Sequence, residues 1–293
     1  MMKNKLYEHD ITAIAWQDKH ELLERILQQA GTIAITPLMQ GMEAEAVKVA
    51  TDADRYVLKI WSRDSKPDIR LQYQVMNMLH ERGISVSKPI GWGINASGHS
   101  VLLTTFDGDP LRDGNAHTMR EIANLLDHIH RISPEEIDRH TRLPRYNFRD
   151  YFFPGMHEYP DLYPLLEQLV ELASPTHKRI IHGDFHLGNI VEQQGRLTVI
   201  DWTNVQLGDP RYDFAWSLTL QQFYIPEHFA EVFRDTYVAM NEIQREELEV
   251  FQALACLRWM LLYRNGGVPM GADTLERVRR LLTSNPHLHG VTI

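Results

Sequence analysis

The side chains that could do chemistry crowd into one stretch: His182-Gly183-Asp184-Phe185-His186-Leu187-Gly188-Asn189, then Val199-Ile200-Asp201-Trp202. Between them, Ile190-Val191-Glu192 and Leu197-Thr198-Val199-Ile200 flank Gln193-Gln194-Gly195-Arg196, a polar turn holding the glycine that a tight reversal wants. A hairpin folded there brings its open ends together, so the Asn189 amide and the Asp201 carboxylate are delivered to one point. Two hard oxygen donors at one point suit magnesium. Asp184 lies just outside that point in a glycine-flanked loop, where a carboxylate can take a proton from a hydroxyl held near the metal. Far upstream, Lys59 is the one lysine embedded in an apolar strand, Tyr56-Val57-Leu58-Lys59-Ile60-Trp61, a place where an ammonium is seldom spent unless an anion meets it. The turn at Gln40-Gly41 could cover a phosphate chain with its backbone amides. A lysine, a covering turn, two metal ligands and a base make up the parts of a phosphoryl-transfer site.

A second chemistry fits some of the same residues. His182, Asp184 and His186 alternate, and such a trio can ligate zinc in a hydrolase. That reading leaves the hairpin ends at Asn189 and Asp201 without a task, and fifteen histidines make chance clusters common. A third reading keeps the nucleotide site and drops the transfer, leaving a nucleotide-binding regulatory module.

The elements that must position these groups follow from periodicity. Residues 17–30 carry Leu22, Leu23, Ile26 and Leu27 at helical spacing. TIAITPL, AEAVKVA and RYVLKIW then read as a three-stranded antiparallel meander, followed by a helix over DIRLQYQVMNMLHERG. SKPIGWGI and HSVLLTTF give two more strands, so the first 106 residues predict a leading helix and a five-stranded antiparallel sheet with one further helix. A Gly/Asp-rich joint at 107–114 precedes a larger, mainly helical part over 107–293. Helices are expected at 117–133, 162–173, 227–240, 246–265 and 274–284, with a loop and hairpin over 180–201. Two lobes and one joint suggest a cleft between them.

Composition narrows the class. The chain of 293 residues is 43% hydrophobic and 24% charged, as in ordinary globular proteins, and no apolar run approaches a membrane span. One cysteine, Cys256, excludes an internal disulfide framework, and with no signal peptide at the start the expected location is the cytoplasm. The net charge of -9 falls entirely on residues 107–293, which argues against a nucleic-acid partner. It suits a cationic partner or substrate, or a solubilising surface. Trp202, Tyr212, Trp216, Phe223, Tyr224, Trp259 and Tyr263 could line an acceptor pocket or fill the core.

HGDFHLGN, the IDW that follows it, and Gly208-Asp209-Pro210-Arg211-Tyr212-Asp213-Phe214-Ala215 together resemble the aminoglycoside phosphotransferase and choline kinase branch of the protein-kinase-like fold. The resemblance runs from about residue 30 to 265. It implies an α+β, two-lobed protein-kinase-like fold, with a small antiparallel-sheet N-lobe and a larger mainly helical C-lobe. The implied activity is an ATP- and magnesium-dependent transfer of the γ-phosphoryl to a hydroxyl of a small, possibly cationic molecule, aminoglycoside-like or an amino alcohol. By the same resemblance Asp184 is the catalytic base, and Asn189 and Asp201 hold magnesium. Lys59 pairs with the α/β-phosphates, Gln40, Gly41, Met42 and Glu43 form the phosphate-covering loop, and the backbone of Thr104, Thr105 and Phe106 meets adenine. Asp213 anchors the catalytic loop, which His182, His186 and Arg211 support. One departure stands out: kinases of this fold place a glutamate against the strand lysine, and the corresponding position here holds Gln72.

Overall fold

The computed structural model describes residues 10–38, 44–111, 114–136 and 141–293. The chain divides into two compact units, Met1–Asp109 with Arg139–Arg142 and Val191–Thr203, and Pro110–Asp138 with Leu143–Ile190 and Asn204–Ile293.

The first unit is built on a six-stranded sheet in the order β1-β5-β6-β4-β3-β2. Strands β2 (Ala34–Pro37), β3 (Glu45–Ala50) and β4 (Arg55–Trp61) form the expected antiparallel meander, and β5 (Pro89–Ile94) and β6 (Ser100–Thr105) pair through the turn at Asn95–Gly98. Alternation in β3 and β4 sends Val47, Val49, Tyr56, Leu58 and Ile60 into one core with Ile90, Val101 and Leu103. Helix α1 (Glu21–Gln28) docks on that core through Leu23 and Ile26. Eight residues are too few to hold a helix in water, so these anchors, each contributing about 1.5–3 kcal/mol on burial, are what keep it folded.

The amino-terminal boundary corrects the sequence reading. Residues 17–19 are not helix: Ala15–Lys19 is strand β1, which pairs with β5 and makes the sheet six-stranded instead of five. The cause is local. His20 caps α1 by accepting the Leu22 N–H, and Trp92 Nε1 donates to Asp18 Oδ2 at 2.8 Å, tying the preceding residues to the sheet. Helix α2 (Ile69–Glu81) starts where Asp68 accepts the Leu71 N–H, and Gly83 follows it at φ 76°. After β6, Gly108 adopts φ 124°, and a Cβ there would meet the Glu192 carbonyl oxygen at 2.1 Å. Glu192 belongs to the hairpin β8 (Ile190–Gln193) and β9 (Arg196–Val199), whose turn residues Gln194 and Gly195 both have positive φ, as a tight two-residue reversal demands.

The second unit is helical. Helix α3 (Ala116–Arg131) packs on α7 (Glu227–Asn241), while α8 (Arg245–Arg264) packs on α5 (Tyr163–Ala173) and α6 (Pro210–Tyr224). Between α3 and α5 lies the short helix α4 (Phe148–Phe152), and α9 (Thr274–Ser284) follows α8. The five helices expected from periodicity are present within a residue or two at most ends. Helix α6 gave no amphipathic stripe because eight consecutive residues, Tyr212 to Thr219, are buried, polar ones included. Its start is nonetheless marked chemically: Asp209 accepts the Arg211 N–H at 2.9 Å, and Pro210 opens the first turn. Strands β7 (Arg179–Ile181) and β10 (Gln206–Gly208) pair beside the helices. Among the described residues no helix is long and apolar enough to cross a membrane.

Two outcomes follow. Gly108→Ala should destabilise the protein by about 2–4 kcal/mol in urea denaturation, since it forces a side chain into a carbonyl at a positive φ. Cys256 is fully buried, and burial pushes its thiol up to about 12, so native protein should resist iodoacetamide at mild pH while urea-unfolded protein is alkylated.

Candidate active site

In the second unit, strand β7 feeds the loop that starts at His182. Gly183 takes φ 79° with the Asn204 carbonyl oxygen 2.5 Å from where a Cβ would stand, so only glycine fits. The carboxylate of Asp213, on α6, accepts the backbone N–H groups of His182 (2.8 Å) and Gly183 (3.0 Å). Its Oδ2 also lies 3.1 Å from His130 Nε2, and the other nitrogen of that ring meets the Tyr237 hydroxyl. His182 is fully buried, and its Nδ1 accepts the Asp184 N–H at 3.3 Å. His186 accepts the Gly188 N–H at 3.0 Å and so caps the turn that ends at Asn189.

Asp184 has a 28% exposed side chain. Its Oδ1 accepts the Trp216 indole N–H at 2.8 Å and lies 3.6 Å from Arg258 Nη2, while its Oδ2 lies 3.6 Å from His186 Nε2. Burial pushes the carboxyl up, but hydrogen bonding from His186, the Arg258 guanidinium and the Trp216 N–H outweigh it and hold the group well below the usual carboxylate range. It is therefore a charged acceptor near neutral pH. Asn189 donates its Nδ2 to the Asp184 carbonyl at 3.0 Å; among the described residues its Oδ1 takes no hydrogen bond, which leaves a hard oxygen to offer a cation.

The first unit holds the other expected groups. Lys59 sits in β4 opposite Ala46 and Leu102, and its ammonium pairs with Asp201 Oδ1 at 3.1 Å. Asp201 has φ 66°, a left-handed backbone that costs a non-glycine residue energy and concentrates at functional sites. Thr203 Oγ1 donates to the same carboxylate oxygen at 3.2 Å, and the buried Trp202 locks the neighbouring position by donating to the Val199 carbonyl. The anion that meets Lys59 is thus Asp201. Gln72 is buried on α2, and its Oε1 has no hydrogen-bond partner among the described residues.

The segment expected to meet adenine runs on from the end of β6. The N–H groups of Thr105 and Phe106 already donate to the Lys88 and Arg55 carbonyls at 2.9 and 3.1 Å, because the sheet edge continues past β6. What this backbone would offer a base is therefore its carbonyl oxygens. Gln40, Gly41, Met42 and Glu43 lie outside the described residues.

Several neighbours of this loop leave no mark in the sequence. Arg258, His130 and Tyr237 carried no motif; a buried arginine on an apolar helix was the one available signal for Arg258. Trp216 was noticed only as an aromatic. Arg211 is held in place by Asp209 (2.7 and 3.0 Å) and Glu247 (2.7 Å), a supporting role. The zinc reading finds no ligand set: among the described residues no group of three or more His, Cys, Asp or Glu is arranged to hold a metal ion.

Comparisons with known proteins bear on the family and the fold. No curated protein matches the chain in sequence. Among solved structures, an ethanolamine kinase of Plasmodium vivax is 15% identical with a TM-score of 0.62, over 96% of this chain and 92% of that one. A choline kinase of Streptococcus pneumoniae is 17% identical with a TM-score of 0.61, over 90% and 97%. An amicoumacin kinase, solved in complex with AMP-PNP, Ca2+ and Ami, is 16% identical with a TM-score of 0.60, over 96% and 94%. At such identities these likenesses show the fold, which is α+β and protein-kinase-like. Residues 34–254 match the family described as the phosphotransferase enzyme family, about three quarters of the sequence, so the chain belongs to that family and is a phosphotransferase.

Proposed function

We propose that this chain transfers the γ-phosphoryl of ATP to a hydroxyl of a small molecule and depends on magnesium. The observation that carries the reading is Asp184, a partly exposed carboxylate held ionised on a loop whose backbone Asp213 clamps, within a chain of phosphotransferase family. Asp184 accepts a hydrogen bond from the acceptor hydroxyl and orients its oxygen toward the γ-phosphorus. As the new O–P bond forms and the bond to the ADP oxygen breaks, the hydroxyl proton moves to Asp184. A carboxylate of low basicity takes that proton late, so its main contribution is orientation. Lys59 moves from Asp201 to the α/β-phosphate oxygens when nucleotide arrives. Asn189 and Asp201 fit magnesium by the chemistry of their donors, an amide oxygen and a carboxylate. When bound, the metal supplies charge neutralisation on the phosphoryl oxygens.

The acidic balance of residues 107–293 supports a cationic acceptor, aminoglycoside-like or an amino alcohol. The ethanolamine and choline kinases among the similar structures agree with the amino alcohol. A single buried cysteine agrees with work in the cytoplasm. Gln72 favours a second reading, a nucleotide-binding module without transfer, since an amide gives Lys59 no charge partner on α2.

An acceptor panel of ethanolamine, choline and aminoglycosides, assayed for ADP release, separates the two. Stimulation by one acceptor supports transfer. Thermal stabilisation by magnesium-ATP with no stimulation by any acceptor would point to the module. In the active case, Asp184→Ala should lower kcat by about 10²–10⁴-fold with nucleotide affinity retained, and Asp201→Ala should in addition weaken magnesium-ATP binding.

Asp184 also sets an acid-stability signature. Its folded carboxyl titrates below the unfolded value of about 3.9, so its ionisation stabilises the fold above that pH and is lost as the pH falls through the folded value. In Asp184→Asn the acid limb of a stability-versus-pH curve below about pH 4 should be shallower than in wild type.

A further inference from the structure

We propose that Arg258 is a positioning residue for phosphoryl transfer: it clamps the Gly183–Asp184 peptide and turns the Asp184 carboxylate so that Oδ2 is the oxygen offered to the acceptor hydroxyl. The proposal rests on the phosphotransferase reading of the same site.

Arg258 sits where an arginine is hard to keep. Its neighbours on α8, Leu254, Ala255, Cys256, Leu257, Trp259, Met260 and Leu261, are all buried, and its own side chain is only 13% exposed. A guanidinium withdrawn from water in an apolar helix is costly unless every face is met. Here every face is. Nη1 donates to the Gly183 carbonyl at 3.1 Å, and Nη2 lies 3.6 Å from Asp184 Oδ1. Its central carbon lies over the Trp216 ring, 4.0 Å from the centroid, and over the Phe152 ring at 4.9 Å.

These contacts act on one short peptide from both of its polar sides. Asp213 draws the N–H groups of His182 and Gly183 with a negative charge, and Arg258 draws the carbonyl of Gly183 with a positive one. Asp213 and Trp216 stand three residues apart, one turn of α6, so the helix that holds the loop backbone also places the indole. The stacked guanidinium fixes that indole, whose N–H donates to Oδ1 at 2.8 Å. The one close hydrogen bond to the carboxylate therefore falls on Oδ1, with the guanidinium 3.6 Å away on the same oxygen. Oδ2 faces the His186 ring at 3.6 Å and, among the described residues, has no closer donor, so it keeps accepting capacity for a substrate. In the transfer step the acceptor O–H bonds to Oδ2, its oxygen attacks the γ-phosphorus, the bond to the β-bridging oxygen breaks with ADP leaving, and the proton ends on Oδ2. Lysine offers neither a plane to stack nor a fork to span a carbonyl and a carboxylate, so it cannot stand in.

The test uses the full-length protein with magnesium-ATP and water as acceptor, read as inorganic phosphate release, together with hydrogen–deuterium exchange across residues 179–190. Melting curves check that each variant is folded. Arg258→Ala should lower kcat by about 100-fold, with KM for magnesium-ATP within about twofold of wild type, and should speed exchange in the loop. Millimolar guanidinium added to Arg258→Ala should restore part of kcat and slow the exchange again, while Arg258→Lys should stay impaired. Unchanged kcat, a rise in KM that accounts for the whole loss, or rescue by lysine as complete as by guanidinium would each overturn the proposal. The phosphotransferase reading fails differently: wild type would then neither bind nor hydrolyse magnesium-ATP. In that case exchange alone decides, and a loop unaffected by Arg258→Ala would overturn the clamp.

Discussion

The buried carboxylate of Asp213 takes two backbone N–H groups and a histidine ring nitrogen, and the active loop hangs from it. Backbone donors withdrawn from water must be paired, and the conformation at Gly183 turns them away from any regular ladder. Asp213 resolves both demands. Removing it would leave three donors unpaired, which is why its charge can be tolerated at 1% exposure. His130 and Tyr237 extend the arrangement into α3 and α7, so the loop is tied to the packed interior of its unit. Rigid support of this kind lets a single carboxylate be aimed, and aiming is what phosphoryl transfer asks of a protein that does little covalent chemistry of its own.

In the first unit the same economy appears with the opposite sign. Lys59 is a cation in a strand whose alternate residues enter the core, and Asp201, in strained left-handed backbone, answers it. The pair is partly open to water, with side chains 20% and 38% exposed, so its net stabilisation is of the order of 1 kcal/mol or less. A phosphate chain carrying several charges can displace so weak a bond. The missing acid at Gln72 works in the same direction, because it leaves α2 without a second anion to compete for the lysine.

Much of this was legible in the residues themselves. Alternation gave β3 to β6, and 3.6-residue periodicity gave the helices of the second unit, because in each case one face is buried and the other wet. The hairpin at 190–199 followed from a glycine in a polar turn. Helix α6 was silent for the reverse reason: buried almost all round, it has no polar face to mark its period. Residues 17–19 of strand β1 carry no local strand signal because its register depends on β5, some seventy residues away. Short-range spacing is what singles out Asp184, Asn189 and Asp201 as candidates. Arg258, Trp216 and His130 reach the loop only through tertiary packing. The Lys59 partner was sought on a helix, by resemblance, and stands instead beside the hairpin.

The sealing of Cys256 inside α8 has a practical corollary. With its sole sulfhydryl out of reach, the folded chain presents no competing thiol, and any surface position changed to cysteine becomes a unique handle for a maleimide dye. A single such handle on β3 would carry the dye alone, so every change in its signal would report on the surroundings of that strand.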